Sequence, residues 1–413
     1  MQYQNVYNTI CYKNNFLKII LKFMNVFYYI VFAVFLYVGF ISTTMRVVVW
    51  PDNMQYNMQH ALWWIVGIKF FFNLLNGDID FFKIFFITCV LIAGIVCYKT
   101  TSGYEIVLDV AVLVVGAINV DFKKILKLYF VICILITIQI MIQSKTGVVD
   151  DLIYYRNGHI RDSFGFIYPT DFAAHIFYII CDWLLIRREK CENPEIIIML
   201  ILALFLQTLC EARCSVLCIV LLASFVYFIK LKKTISYKKI HYNDNNKKNY
   251  IFVLVPLFFS CVIIFLGKSK TQNSIVQILN KILSGRINLT REAFENYTVK
   301  LWGQYVYMNG NGGSIIEKNN YFYIDSSYVN ILLRFGLFVF LMVMIGISII
   351  IIKNSNNFFI IGIILIICLH SLIEHHLFEY YYNFFIILPL ACFDTTNNTN
   401  DRSIFSCCQF YTL

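Results

Sequence analysis

GLFVFLMVMIGISIIII (Gly336–Ile352) and, after the polar break Lys353-Asn354-Ser355-Asn356-Asn357, FFIIGIILIICL (Phe358–Leu369) contain not one charged side chain. The first run alone is near the length that crosses about 30 Å of hydrocarbon as an α-helix. A helix apolar on every face is buried in protein or in lipid, and two in succession at this composition point to lipid. Working outward from this pair, comparable runs begin near Val26, Ala61, Phe81, Glu105, Leu126, Phe166, Glu195, Ala212, Tyr250, Tyr328, Phe358 and His376. The expectation is an all-α polytopic membrane protein of about twelve spans, with residues 1–392 as one membrane domain. The polar, Asn- and Thr-rich stretch 393–413 reads as a disordered tail.

Composition agrees. The chain has 413 residues, of which 59% are hydrophobic and 14% charged, and its mean hydropathy is +0.68. The net charge of +10 does not mark a nucleic-acid binder, because Lys and Arg punctuate apolar runs instead of clustering on a soluble face. The cysteines fall mostly singly inside apolar stretches (Cys89, Cys97, Cys133, Cys261), and no C-x-x-C pair occurs, which excludes a redox motif and a zinc ribbon. Lys13, Lys18 and Lys22 precede the first run and no small-residue cleavage site follows it, so that run reads as an uncleaved span.

Twelve spans with the N-terminus inside return the C-terminus to the cytoplasm and assign each loop a side. Phe122-Lys123-Lys124, Arg187-Arg188-Glu189-Lys190 and the basic loop 230–249 then fall on the cytoplasmic side, as the positive-inside rule requires. Two long segments, 143–165 and 267–325, fall outside and carry arginine. In the second, Ile275, Leu279 and Ile282, then Ala293, Tyr297 and Leu301, recur at helical spacing and predict two short amphipathic helices. Gly310-Asn311-Gly312-Gly313 lacks the Lys-Ser or Lys-Thr of a phosphate-binding P-loop.

Arg156 and Arg161 in the first external loop, Arg213 in the turn between the seventh and eighth spans, and Arg286 and Arg291 in the long loop all face one compartment. Guanidinium groups grip phosphate bidentately and keep their charge in a partly dry site. Five of them suggest a polyanionic ligand at the outer surface, such as a lipid pyrophosphate; the plainer reading is contact with lipid headgroups. Arg213 resists that plainer reading, since drawing a charge into apolar surroundings costs about 2.5 to 3.5 kcal/mol. It predicts a polar cavity or a pairing with Glu211. Arg291 is expected in the first turn of a helix starting near Thr290, where free N–H groups add to anion binding.

A second cluster, His370-Ser371-Leu372-Ile373-Glu374-His375-His376 with Glu379, sits at the external junction of the last two spans. His370 and Glu374 share a helical face at i and i+4, giving a candidate general base and its orienting carboxylate. His375 and Glu379 repeat the spacing, but without an ordered ligand motif no metal is assigned. Asp78-Ile79-Asp80 has the form of a metal-holding Asp-x-Asp pair, yet it falls on the cytoplasmic face away from the arginines and reads as a solvated turn. Lys69, Asp182 and Arg334 fall deeper in spans, as buried pairs or boundary residues.

Several strings resemble the polysaccharide repeat-unit polymerases of the Wzy type. They are Arg156-Asn157-Gly158-His159-Ile160-Arg161-Asp162-Ser163-Phe164-Gly165-Phe166-Ile167-Tyr168-Pro169-Thr170, then Arg213, Gly285-Arg286, Ala293-Phe294 and Leu301-Trp302-Gly303-Gln304. Tyr323-Ile324-Asp325-Ser326-Ser327-Tyr328, Leu333 and Gly336, and the late motif His370-Ser371-Leu372-Ile373-Glu374 complete the set. The resemblance covers roughly Leu152 to Leu390. It departs from the family's Arg-to-Gly spacing, which Arg156 to Gly165 and Arg286 to Gly303 only approach.

What the resemblance implies is a GT-C-like transferase in the bacterial cytoplasmic membrane. It would move a growing glycan from undecaprenyl pyrophosphate onto another lipid-linked repeat unit outside, without metal, nucleotide or other cofactor. Arg156, Arg161, Arg213, Arg286 and Arg291 would hold diphosphates, and His370 with Glu374 would position or deprotonate the acceptor hydroxyl. A chain-length regulator and a flippase would be its partners. An O-antigen ligase shares that architecture, and a flippase or transporter for lipid-linked oligosaccharide suits the topology, although no inverted repeat is visible.

Overall fold

The structure, a computed structural model, describes residues 2–48, 54–102, 105–156, 158–237, 249–269, 274–315 and 319–393. Most of the basic loop 230–249 and the tail after residue 393 lie outside the described residues.

Helices dominate. In chain order they are α1 Gln2–Ile41, α2 Met54–Leu75, α3 Phe81–Thr100, α4 Ile106–Gly116, α5 Phe122–Lys145, α6 Pro169–Arg187, α7 Asn193–Leu209 and α8 Arg213–Tyr237. They continue with α9 Leu254–Lys268, α10 Ser274–Ile282, α11 Arg286–Asn296, α12 Ser327–Asn330, α13 Gly336–Lys353 and α14 Phe358–His370. A π-helical turn, Ile331–Phe335, joins α12 to α13. Among the described residues seven helical stretches are long and apolar enough to cross a bilayer: Phe16–Ile41, Phe81–Thr100, Phe122–Lys145, Pro169–Arg187, Arg213–Lys232, Tyr250–Lys268 and Ser327–Lys353. Three shorter apolar helices, α4, α7 and α14, accompany them.

Lipid explains what these helices leave uncovered. Phe258 and Phe265 on α9 are 63% and 73% exposed, and such apolar surface is stable only where the solvent is hydrocarbon. The chain is a multi-pass, mostly helical membrane protein.

Helix directions define two poles. α5, α7, α9 and α14 run toward one pole and α6, α8 and α13 return from it. Near that pole stand the hairpin formed by β1 Ile153–Arg156 and β2 His159–Asp162, the α7–α8 turn, and α10 and α11. Of the two amphipathic helices expected in the long loop, the first is present as α10, which carries Ile275, Leu279 and Ile282; the second is displaced, because α11 ends at Asn296 and leaves Tyr297 and Leu301 outside any helix. α11 begins at Arg286 rather than near Thr290, so Arg286 takes the first-turn position expected of Arg291.

The hairpin was not expected from helical periodicity. Its register pairs Tyr154 with Arg161 and Arg156 with His159, and side chains alternate faces along a strand, so Arg156 and Arg161 come to the same face.

Residues from His376 onward, expected to open a twelfth helical span, form turns and one 3-10 helix, Phe384–Ile387. The segment still crosses the bundle. At its far end Cys392 N donates to Val120 O at 2.9 Å, Phe122 N donates to Cys392 O at 3.1 Å, and Lys353 Nζ donates to Pro389 O at 2.8 Å. Nearly every residue along it is buried. Irregular backbone at membrane depth is tolerated only inside protein. The sequence favours it here: the six aromatic residues from Phe378 to Phe385 are weak helix formers, Pro389 ends any helix, and Asn383 turns its own amide onto Leu377 O at 2.7 Å.

Two glycines seat the long loop on the bundle. Gly336 (φ +94°) and Gly303 (φ +81°) lie backbone against backbone; a Cβ at Gly336 would collide with Gly303 N, and one at Gly303 would stand 2.8 Å from the Phe335 carbonyl carbon. Gln304 N donates to Arg334 O at 2.9 Å and Phe338 N to Leu301 O at 3.0 Å across this junction.

The solvated-turn reading of Asp78-Ile79-Asp80 agrees with its place at the far pole. Asp80 caps α3, accepting from Lys83 N at 2.8 Å. Lys69, expected deep in a span, is buried and spends its ammonium on the carbonyls of Gly116 and Ile118, the latter at 2.7 Å.

A candidate arginine-lined site

At the pole of the hairpin a cleft is lined by Arg156, Thr170, Glu211, Arg213, Cys214, Leu283, Ser284, Arg286, Ile373 and Glu374. Five separate segments build it: the end of β1, the start of α6, the α7–α8 turn, the α10–α11 junction and the turn after α14. Three of the five arginines singled out in the sequence, Arg156, Arg213 and Arg286, meet here.

Arg286 is the best tethered. Its Nη1 donates to Glu374 Oε1 at 2.7 Å and also reaches Ile373 O, and its Nε lies 3.6 Å from Asp325 Oδ2. These carboxylates outweigh the burial of the guanidinium and raise its pKa. Gly285, in the left-handed region at φ +86°, makes the turn that aims it. Arg156 has the opposite balance. Burial, then the charges of Arg161, Arg213 and Arg286, pull its pKa below the usual value. Burial is the larger cause, and the neighbouring cations add to it.

Arg213 begins α8 at the lip of the same cleft. Glu211 lines it too, held at φ +48°, with a buried Oε2 that has no partner among the described residues. The expected polar cavity is therefore where Arg213 sits.

The other two arginines stand apart from the lining. Arg161 is 3% exposed; its Nε donates to Cys210 O at 2.8 Å and its guanidinium lies over the Tyr168 ring at 5.3 Å. It pins the hairpin to the α7–α8 turn. Arg291 lies on α11 with its Nε buried and unpartnered among the described residues.

The His370–Glu374 side-chain pairing expected from i, i+4 spacing is absent from the described hydrogen bonds, because α14 ends at His370 and the chain turns away. His370 is fully buried behind the cleft, stacked on Phe177 at 4.4 Å, with its Nε2 3.1 Å from Ser215 Oγ. Glu374 points instead to Arg286.

Beside the cleft lies a group the sequence named only in part. His376 Nδ1 is 2.9 Å from Glu379 Oε2, and its Nε2 is 3.9 Å from Asp171 Oδ1. His375 Nε2 is 3.1 Å from Tyr323 OH. Asp171 was missed by sequence reasoning; its position directly after Pro169-Thr170, at a helix start, was the available signal. The hairpin was missed as well, although Asn157-Gly158 between short β-prone runs is the strongest short-range hairpin signal.

Fold and site together define a multi-pass helical membrane protein with a cationic cleft at one pole. No protein-family model, curated protein or solved structure matches the chain.

Proposed function

We propose that the chain polymerises a surface polysaccharide, transferring a glycan from undecaprenyl pyrophosphate to another lipid-linked repeat unit at the external face of a bacterial cytoplasmic membrane. The observation that carries this reading is the convergence of Arg156, Arg213 and Arg286, from three distant stretches of chain, on one cleft. The basic segments Phe122-Lys123-Lys124 and Arg187-Arg188-Glu189-Lys190 lie at the opposite pole, which supports an external cleft.

In this reading the acceptor hydroxyl oxygen attacks the anomeric carbon of the donor glycan while the bond to the pyrophosphate oxygen breaks. The negative charge that develops on the departing pyrophosphate falls among fixed guanidinium groups in a partly dry site, where it is stabilised most. Glu374, at the cleft wall, takes the proton of the incoming hydroxyl as the new bond to the anomeric carbon forms and undecaprenyl pyrophosphate departs. His370 acts as a positioning residue, holding Ser215 and the first turn of α8 so that Arg213 meets its ligand. No nucleotide enters this scheme.

The test is genetic. Deleting the gene should leave single lipid-linked repeat units on the outer leaflet and no long polymer, and Arg213→Ala should reproduce that state while the protein stays in the membrane. Polymer of normal length from Arg213→Ala would overturn the reading. Full-length polymer retained on undecaprenyl pyrophosphate in the deletion would assign ligation instead, and repeat units trapped on the inner leaflet would assign flipping.

A further inference from the structure

Asp171, His375 and His376 each offer one ligand atom, and the three atoms lie within 4.8 Å of one another. The surroundings of the two rings are more telling than the spacing. His376 is fully buried. Its Nδ1 faces Glu379 Oε2 at 2.9 Å, which places the ring proton on Nδ1 and leaves Nε2 as a bare lone pair. That Nε2 is buried without a hydrogen-bond partner among the described residues and stands 3.9 Å from Asp171 Oδ1. The separation is too long for a hydrogen bond and short enough for one ion with bonds of about 2.0 to 2.2 Å to each atom. His375 repeats the arrangement: Nε2 meets Tyr323 OH at 3.1 Å and its Nδ1 is buried and unpartnered.

A histidine with one nitrogen fixed by a carboxylate or hydroxyl and the other left bare is the arrangement that outer partners impose on metal-ligating imidazoles. A pair of buried rings held only for packing would not need one nitrogen of each left without a hydrogen-bond partner, since an unpaired buried polar atom costs about 1 to 3 kcal/mol.

We propose that Asp171, His375 and His376 bind a divalent transition-metal ion, zinc being the one that two imidazoles and a carboxylate suit best, with Glu379 and Tyr323 as its outer supports. Three protein ligands leave a fourth position open. Thr170 and Glu374, the chain neighbours of Asp171 and His375, line the arginine cleft, which places the three ligands beside it. The site stands on side-chain geometry and does not depend on the glycan reading.

The experiment is metal analysis of the full-length protein purified in detergent, stripped with chelator and then dialysed against zinc. Wild type should retain about one zinc ion per chain, and cobalt in its place should give the visible absorption of a four-coordinate site. Asp171→Asn, which keeps shape and volume, and His376→Ala should lose the metal. Glu379→Gln should weaken it by about 10- to 100-fold. Monodisperse elution of Asp171→Asn on gel filtration separates loss of metal from loss of fold. Zinc at background in wild type, equal zinc and identical cobalt spectra in wild type and Asp171→Asn, or retention of magnesium alone would each overturn the proposal.

Discussion

Arg286 reaches Glu374, Asp325 and the Ile373 carbonyl at once, so its removal strands two carboxylates that burial already pushes above their ordinary range. Arg286→Ala is expected to abolish polymer and to destabilise the protein by about 3 to 5 kcal/mol, the cost of breaking a buried pair from one side. A double variant, Arg286→Met with Glu374→Met, should recover much of that stability and none of the activity; thermal unfolding in detergent together with a glycan ladder separates the two effects. Arg286→Lys should fail as well, because one ammonium cannot serve Glu374 and Asp325 in the geometry of a planar fork. At this scale the sequence was informative about charge and less so about partners. Arg156, Arg213 and Arg286 were legible as anion-binding candidates because charges beside apolar runs are conspicuous. The partner of Glu374 was not legible, since i, i+4 spacing presumes a helix that in fact stops at His370.

Among the elements, the junction of Gly303 with the break before α13 is the most sensitive to a single methyl group. Gly336→Ala would drive a Cβ into the backbone of Gly303 and force a positive φ on a residue that resists it. Loss of folded protein from the membrane fraction is the expected outcome, measured by gel-filtration yield against Gly346→Ala, whose added Cβ would meet only the Pro389 ring at 3.2 Å. The α3 cap offers a milder counterpart. Asp80→Ala should cost about 1 kcal/mol through the lost bond to Lys83 N and leave polymer length unchanged, because Asp80 stands at the far pole. The long apolar helices and the amphipathic α10 were readable from periodicity, whereas the spacing of Ala293, Tyr297 and Leu301 placed the next helix too late, since α11 ends at Asn296. The hairpin and the irregular crossing after His376 were not: hydropathy reports that a segment is buried, and a chain walled in by neighbouring helices satisfies its backbone locally and needs no helix to do so.

For the whole molecule, the arrangement of poles carries the functional reading. The arginine cleft, the long loop and the histidine group share one end, while the basic turns at Lys123-Lys124 and Arg187-Arg188-Glu189-Lys190 share the other. Single cysteines placed at Ser284, in the cleft wall, and at Lys123, at the other pole, should therefore label with impermeant reagents from opposite sides of the membrane; labelling of both from one side would break the topology on which an external reaction depends.

Binding of undecaprenyl pyrophosphate to the purified protein in lipid nanodiscs tests the central claim most directly. Wild type is expected to bind the pyrophosphate more tightly than the monophosphate, and Arg156→Ala, Arg213→Ala and Arg286→Ala each to lose about tenfold or more, or 1.4 kcal/mol per lost charge-assisted contact. Equal affinity for the two lipids, unchanged in all three variants, would contradict a cleft built to hold pyrophosphate.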